Sequence, residues 1–529
     1  TLQKLTTYKT IQQMKFTASF VNLLFRLFLL VSFSAVSQDY LVEKVPNRYR
    51  LSWETVSMSE EPDLGFVGIG FDLFSRTNQS TERYFGITSY STMQGIRPGL
   101  ITLGVSSGLR TKLFESGLFL DLGGFVGGGG GGAADDGGGL IVRPHLFVEK
   151  RLGNLGLHLG VSRIDFPTGN ISGNQLHFGL SLQGDNYFRT KEIASSSIKF
   201  SAPRIRSFRF ALVGTRYFQL EKGGGSNKAT KPLGAAGLVG IQIEKRLDKY
   251  WHGVFKTNGA FQGGIDGYMS ILVGMGGRYA LMNEGLSLKT NLLFGPSGGG
   301  AIKSGGGAIA QAEVGISLRL KNNYDLQLMT GKTWSPWGDF TTNHFELSLG
   351  KSFELLAPTK LPKGVTHFKV PASEYSENHL SFATFNRTYF SSSKALDKSG
   401  RPYLTSFQLL GFEVQKHLND RFCLHGGTVW AYQGDYGAYA EGLLGATYSI
   451  PFYNHWEFVT KAVFGAGGGG DINLGSGLLF QYAIGIERIL SPKSNVYVHF
   501  GKVNPLEGNF TPYSLDFGFK FQLHQLLKK

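Results

Sequence analysis

The stretch Ser514-Leu-Asp-Phe-Gly-Phe-Lys-Phe-Gln-Leu523 decides how the whole chain is read. Leu515, Phe517, Phe519, Phe521 and Leu523 alternate with Ser514, Asp516, Gly518, Lys520 and Gln522. An extended backbone therefore carries the large apolar groups on one face and the polar groups and glycine on the other. The same period of two appears at Gln175–Gln183, where Leu176, Phe178, Leu180 and Leu182 oppose Gln175, His177, Gly179 and Ser181. It appears again at His344–Gly350, where Phe345, Leu347 and Leu349 oppose His344, Glu346 and Ser348. A fourth example sets Leu286, Leu288, Leu292 and Phe294 against Ser287, Lys289 and Asn291. The fold class this predicts is all-β and antiparallel.

Working outward, these strands belong to a repeated unit. A glycine-rich segment occurs three times, at Gly127–Gly139, Gly295–Gly307 and Gly465–Gly477, with starts 168 and 170 residues apart. Each leads into a similar phrase: Phe147-Val-Glu-Lys-Arg-Leu152, Gly315-Ile-Ser-Leu-Arg-Leu320 and Gly485-Ile-Glu-Arg-Ile-Leu490. Each unit opens with an extended stretch ending in proline: Val42–Pro46, Ile198–Pro203 and His367–Pro371. A fixed order of shared features marks tandem repetition. The expected organisation is residues 1–37 as upstream sequence and signal peptide, then repeats at 38–190, 191–360 and 361–529.

The composition fits such a chain. Charged residues are only 17% of the 529, and glycine, at 74 residues, is about twice as frequent as the usual ~7%. A single cysteine, Cys423, excludes an internal disulfide framework. In the leader, Met14-Lys15 opens a segment with Arg26, the apolar core Leu27–Phe33 and the small-residue site Ala35-Val36-Ser37 before Gln38, the pattern of a cleaved secretory signal. Its removal takes four Lys/Arg and no Asp/Glu, lowering the net charge from +15 to +11. That charge is spread out, with no basic cluster of the kind nucleic acid requires, so a nucleic-acid partner is not expected.

A soluble sandwich also alternates, so lipid is argued from further features. The strands read as about 9–13 residues long, enough to cross a bilayer at a tilt. Phenylalanine is abundant, with 42 residues. Connections after the second, fourth and sixth strands of a unit are short and polar, as at Asp248–Tyr250, Asn283–Gly285 and Ser491–Lys493. Those after the odd strands are longer, as at Glu221–Pro232, Phe261–Gly267 and Asn504–Pro512. Short turns on one side and long loops on the other is the asymmetry of outer-membrane barrels.

On these residues the chain resembles a Gram-negative, Bacteroidota-type outer-membrane β-barrel. The resemblance is one of class and points to no specific family. It implies an outer-membrane location, with the lipid bilayer and lipopolysaccharide as surroundings and a periplasmic or lipoprotein partner. Three units of about eight strands give one barrel of about 24 strands or three barrels of eight, and the single barrel is the preferred expectation. The pattern departs from the class in one respect: outer-membrane barrels typically end on an aromatic residue, whereas eight residues follow Phe521 here.

Function is read from the faces and loops. The expected role is a passive pore or transport component. The alternatives are a non-catalytic assembly, secretion or surface-attachment partner, and a lipid-modifying barrel enzyme. Candidate pore-shaping loop residues are Gly127, Gly132, Asp135, Asp136, Gly298, Gly305, Gly467 and Asp471, on hairpins that either serve only as flexible surface loops, the favoured reading, or converge near a pseudo-threefold axis and narrow a pore. Candidate lumen residues are Asp121, His177, Lys289, Glu313, Arg319, Glu346, Asp516 and Lys520, whose mixed signs suit a water-filled interior. Gly331-Lys332-Thr333 lacks the glycine spacing and following helix of a phosphate loop. None of the 12 histidines falls in a metal-binding sequence spacing, so catalytic residues, cofactors and metals are all expected to be absent.

Overall fold

The computed structural model describes residues 39–529 apart from 59–60, 79, 115–116, 191–197, 200–203, 219–233, 266, 283–284, 301, 358–360, 362–364, 391 and 404. The leader, the Glu221–Pro232 loop and most of Asn283–Gly285 lie outside the described residues.

Among the described residues, twenty-four long strands close into three separate rings of eight. The first ring is β1 (Tyr40–Val56), β2 (Leu64–Arg76), β3 (Thr81–Gln94), β4 (Ile101–Phe114), β5 (Leu118–Gly130), β6 (Ile141–Leu152), β7 (Leu155–Asp165) and β8 (Ser172–Arg189). The short β9 (Ile198–Lys199) leads to the second ring: β10 (Arg204–Phe218), β11 (Ala236–Arg246), β12 (Trp251–Gln262), β13 (Met269–Met282), β14 (Leu286–Gly298), β15 (Ala308–Arg319), β16 (Tyr324–Trp334) and β17 (Thr341–Ala357). After β18 (His367–Val370), the third ring begins with β19 (Tyr375–Tyr389). A small hairpin, β20 (Ser392–Leu396) and β21 (Pro402–Tyr403), precedes its other members. These are β22 (Phe407–His417), β23 (Phe422–Gln433), β24 (Ala440–Tyr453), β25 (Trp456–Gly468), β26 (Leu478–Ser491), β27 (Ser494–Pro505) and β28 (Tyr513–Lys528).

Within each ring consecutive strands pair antiparallel, and the first strand pairs with the last. The closing registers include Leu51↔Leu180, Leu212↔Leu349 and Leu380↔Leu523. The preferred expectation of one 24-stranded barrel is therefore overturned, and the alternative of three eight-stranded barrels is the architecture found. The reason is local: each ring's last strand finds its partner in its own first strand, which satisfies the backbone without waiting for the next unit. Sixteen of the strands still form one continuous sheet, because β17 and β28 touch through the single pair Leu355↔Leu527.

The alternation read from sequence sets the two faces. Leu176, at 74% exposure, Leu292 and Phe517 point outward, while His177, Asn291 and Asp516 beside them are buried inside. The shortest ring strands, such as β7, have 11 residues. At about 3.3 Å per residue and a ~45° tilt, such a strand spans roughly the thickness of a hydrocarbon core. The long loops collect at one end and the short turns at the other: 95–100, 131–140 and 166–171 against 77–80, 115–117 and 153–154 in the first ring.

At the short-turn end the linkers tie the rings together. β18 pairs antiparallel with the start of β1 and parallel with β9, so parts of the three proline-ending stretches lie side by side. Val42, Tyr187, Leu356, Phe368, Tyr375 and Leu526, drawn from all three rings and a linker, form one buried apolar cluster there.

Candidate functional site

Each lumen carries a network of buried charged side chains. In the first ring, β1 aims Arg48, Arg50, Ser52 and Glu54 inward because they alternate with Tyr49, Leu51 and Trp53. Arg48, 0% exposed, donates from Nε to Asp72 Oδ2 at 3.0 Å, and from Nη1 to Asp121 Oδ2 at 2.8 Å and Glu149 Oε2 at 3.0 Å. The Tyr84 hydroxyl donates to the other oxygen of Asp121 at 2.8 Å. Arg143 pairs with Glu54, whose carboxylate also meets His177 Nδ1 at 2.6 Å. The Phe147 ring stacks on the His145, His158 and His177 rings with centroids 4.8 to 4.9 Å away.

The other lumens use the same principle with different residues. In the second ring, Lys256 Nζ donates to Glu313 at 2.6 Å and Glu346 at 2.8 Å, Lys289 pairs with Glu244, and Arg209 Nε donates to Asp325 at 2.7 Å. In the third, Arg387 forms a two-pronged pair with Asp516 at 2.7 and 2.8 Å, and Lys520 meets both oxygens of Glu487. Lys461 pairs with Glu413. Buried charges persist where each finds an opposite charge and further hydrogen bonds.

Towards the long-loop end the polar layer gives way to an apolar one. Phe66, Tyr90, Leu100, Phe125 and Ile141 fill the first ring. Leu238, Tyr268 and Phe340 take this place in the second, and Phe407, Tyr439 and Phe510 in the third. The side chains expected from sequence to line water are thus mostly buried against one another. An eight-stranded ring has an interior just wide enough for side chains to fill.

Of the lumen candidates, Asp121, His177, Lys289, Glu313, Glu346, Asp516 and Lys520 are buried in these networks. They fall into three separate interiors. Arg319 lies exposed at the short-turn end of β15. Sequence reasoning missed Arg48, Arg143, Lys256 and Arg387. The signal for Arg48 was available, since the alternation from Arg48 to Glu54 is as regular as that of the closing strands.

The three glycine-rich hairpins share one conformation. Positive φ recurs at Gly131, Gly299 and Gly469, at Gly132, Gly300 and Gly470, at Gly137, Gly305 and Gly475, and at Gly139, Gly307 and Gly477. One turn is closed by Ala134, Ile302 and Ile472 N–H donating to Gly131, Gly299 and Gly469 carbonyls at 3.1 to 3.2 Å. Left-handed backbone is where glycine is favoured over residues with a Cβ.

The same hairpins dock on neighbouring rings in cyclic order. A Cβ on Gly139 of the first ring would lie 2.6 Å from Ala431 O of the third. On Gly307 of the second ring it would lie 2.6 Å from Thr92 O of the first. On Gly477 of the third ring it would lie 3.6 Å from Ala260 O of the second. Gly298 approaches Gly99 of the first ring so closely that a Cβ there would sit 2.1 Å from the Gly99 Cα. Each hairpin thus covers the loop between the third and fourth strands of a neighbour, and the three contacts form a closed circle.

The remaining loop candidates take varied places. Gly127 lies within β5 and faces the Leu103 carbonyl of its own ring, and Gly467 N–H donates to Gly477 O at 2.9 Å. The Asp135 carbonyl accepts from Asn170 N–H at 3.0 Å. Asp136 is buried; its Oδ2 accepts from Gly131 N–H at 2.7 Å, and burial pushes its carboxyl up to about 6. Asp471 has φ 60 and accepts from the Ser399 hydroxyl at 3.2 Å.

At the short-turn end of the third ring a cavity of about 310 Å³ is lined in part by His417, Cys423, Glu487, Lys520 and His524. Beside it Glu377, His379 and His524 bring three ligand-type atoms within 4.8 Å of one another, and these residues could hold a metal ion. Sequence spacing could not reveal this group, because its members come from the first and last strands of the ring.

No protein-family model matches the chain, and no curated protein does. Among solved structures it is similar to the siderophore receptor PirA from Acinetobacter baumannii, at 9% identity over 91% of this chain and 80% of that one, with a TM-score of 0.27. It is also similar to Pseudomonas aeruginosa OccK11 (OpdR), at 12% identity over 94% and 100%, with a TM-score of 0.21. A third is A. baumannii OccAB3, at 11% identity over 92% and 99%, with a TM-score of 0.21. Scores of this size carry no argument, and the fold rests on the strand pairing above.

Proposed function

We propose that the chain is an integral outer-membrane protein of a Gram-negative bacterium whose three rings serve as a non-conducting scaffold for assembly, secretion or surface attachment. The membrane part of this reading is supported by the outward Leu and Phe side chains on all three rings, left exposed by the fold and matched in height to a hydrocarbon core. Its surroundings are then the bilayer and lipopolysaccharide, and its partner a periplasmic protein or lipoprotein.

The single observation that carries the scaffold over the passive pore is the layer of buried ion pairs, backed by an apolar layer, inside each of the three rings. A pore needs continuous water, and Arg48, Lys256 and Lys520 are each almost or wholly shielded from it. In planar bilayers the detergent-purified protein is expected to give no stepwise current. Stable single-channel conductance would overturn the scaffold reading. A processed chain that is monodisperse in water without any amphiphile would overturn the membrane reading itself.

A further inference from the structure

We propose that Glu377, His379 and His524 form a binding site for a zinc-class divalent cation at the short-turn mouth of the third ring. Glu377 and His379 are two apart on β19 and so share its inner face. His379 lies directly opposite His524 on β28, and their rings meet edge to face with centroids 4.7 Å apart. Two imidazoles and one carboxylate are the ligand types of zinc sites that have three protein ligands and leave the fourth position to water.

The surroundings favour ligation. Arg189 of the first ring pairs with Glu377 Oε1, while Glu377 Oε2 lies 2.9 Å from His379 Nε2. The guanidinium thus holds the carboxylate by one oxygen and turns the other towards the imidazole, the arrangement by which outer partners orient metal ligands. The His379 side chain is 46% exposed, and His524 borders the cavity, so an ion has an entry path.

The group is particular to one ring. The closing registers place Lys44, Pro46 and Asp185 at the matching positions of the first ring, where Lys44 and Asp185 form an ion pair at 3.0 Å. They place Ile205, Ser207 and Glu354 there in the second. Neither alternative set contains an imidazole. A shared scaffold would explain a polar mouth in all three rings, but not two facing histidines with a carboxylate in one.

The test uses the full-length, detergent-solubilised protein after chelator treatment, titrated with Co²⁺ and then Zn²⁺. A single Co²⁺ per chain is expected to produce visible d–d absorption, discharged by stoichiometric Zn²⁺. His379→Ala and His524→Ala are each expected to abolish the band, and Arg189→Ala to weaken binding by about 10- to 100-fold. His455→Ala, in the β24–β25 turn, serves as the control that leaves it unchanged. Absence of the band from the unmodified protein overturns the proposal without reliance on any variant. Equal loss in His455→Ala overturns it too.

Discussion

The circle of hairpin contacts makes a prediction that can be dissected with four glycine-to-alanine substitutions. Two physical costs are involved: a positive φ that disfavours a Cβ, and the closeness of another ring's backbone. Gly442 carries neither, since its φ is ordinary and nothing lies within 4 Å of an added Cβ. Gly153 carries only the first, with φ 66 and open space around it. Gly298 carries only the second, at 2.1 Å from Gly99 Cα. Gly307 carries both, with φ 104 and the Thr92 carbonyl at 2.6 Å.

Gly442→Ala should stabilise by about 0.4–1 kcal/mol, because alanine restricts the unfolded chain. Gly153→Ala should cost about 1–2 kcal/mol for left-handed backbone. Gly298→Ala should cost about 1–3 kcal/mol through overpacking against backbone that cannot rotate aside. Gly307→Ala combines the two and should cost about 2–5 kcal/mol. Urea unfolding of the detergent-solubilised protein reads the series. The decisive comparison is Gly298→Ala with Gly442→Ala: if the two unfold at the same urea concentration, the rings are not pressed together at the hairpins and the junction argument fails.

Removing Arg48 leaves Asp72, Asp121 and Glu149 without their shared cation, so Arg48→Ala should destabilise the first ring by about 3–5 kcal/mol; a urea midpoint equal to that of the parent protein would refute a buried ion-pair core. Leu176→Arg and Leu292→Arg place a charge on the outward face and should cost about 2–4 kcal/mol near mid-bilayer, measured by refolding into lipid vesicles. Tolerance of both would argue that water or protein, rather than lipid, covers that face. Asp136, with its carboxyl pushed up to about 6 by burial, holds its proton more tightly folded than unfolded. Its contribution to hairpin stability is therefore full below the ordinary carboxyl range and is lost as pH rises through about 6. Hydrogen-exchange protection over residues 131–139, taken relative to the base-catalysed intrinsic rate, should fall between pH 5 and pH 7, roughly the interval over which this group ionises, and Asp136→Asn should flatten that dependence. An identical pH response in the variant would refute the assignment.

Period-two alternation at Ser514–Leu523, Gln175–Gln183 and His344–Gly350 was enough by itself to give strands, their inner and outer faces, and the contrast between short turns and long loops. These are local properties, fixed by the backbone's pleat and by which side chains tolerate water. The glycine-rich segments were equally visible, but whether they dock on anything was not, since loose surface loops and docked hairpins share the same glycines. Which strand closes on which was not visible. One ring of 24 strands and three of eight satisfy the same alternation, and only pairings such as Leu51↔Leu180, separated by more than a hundred residues, distinguish them. The fate of the lumen followed from that choice: the same Asp121, Glu346 and Lys520 that would line water in a wide ring are pressed against Arg48, Lys256 and Glu487 in a narrow one. The histidine pair at the mouth of the third ring depends on it as well, since His379 and His524 become neighbours only when the first and last strands of their ring join.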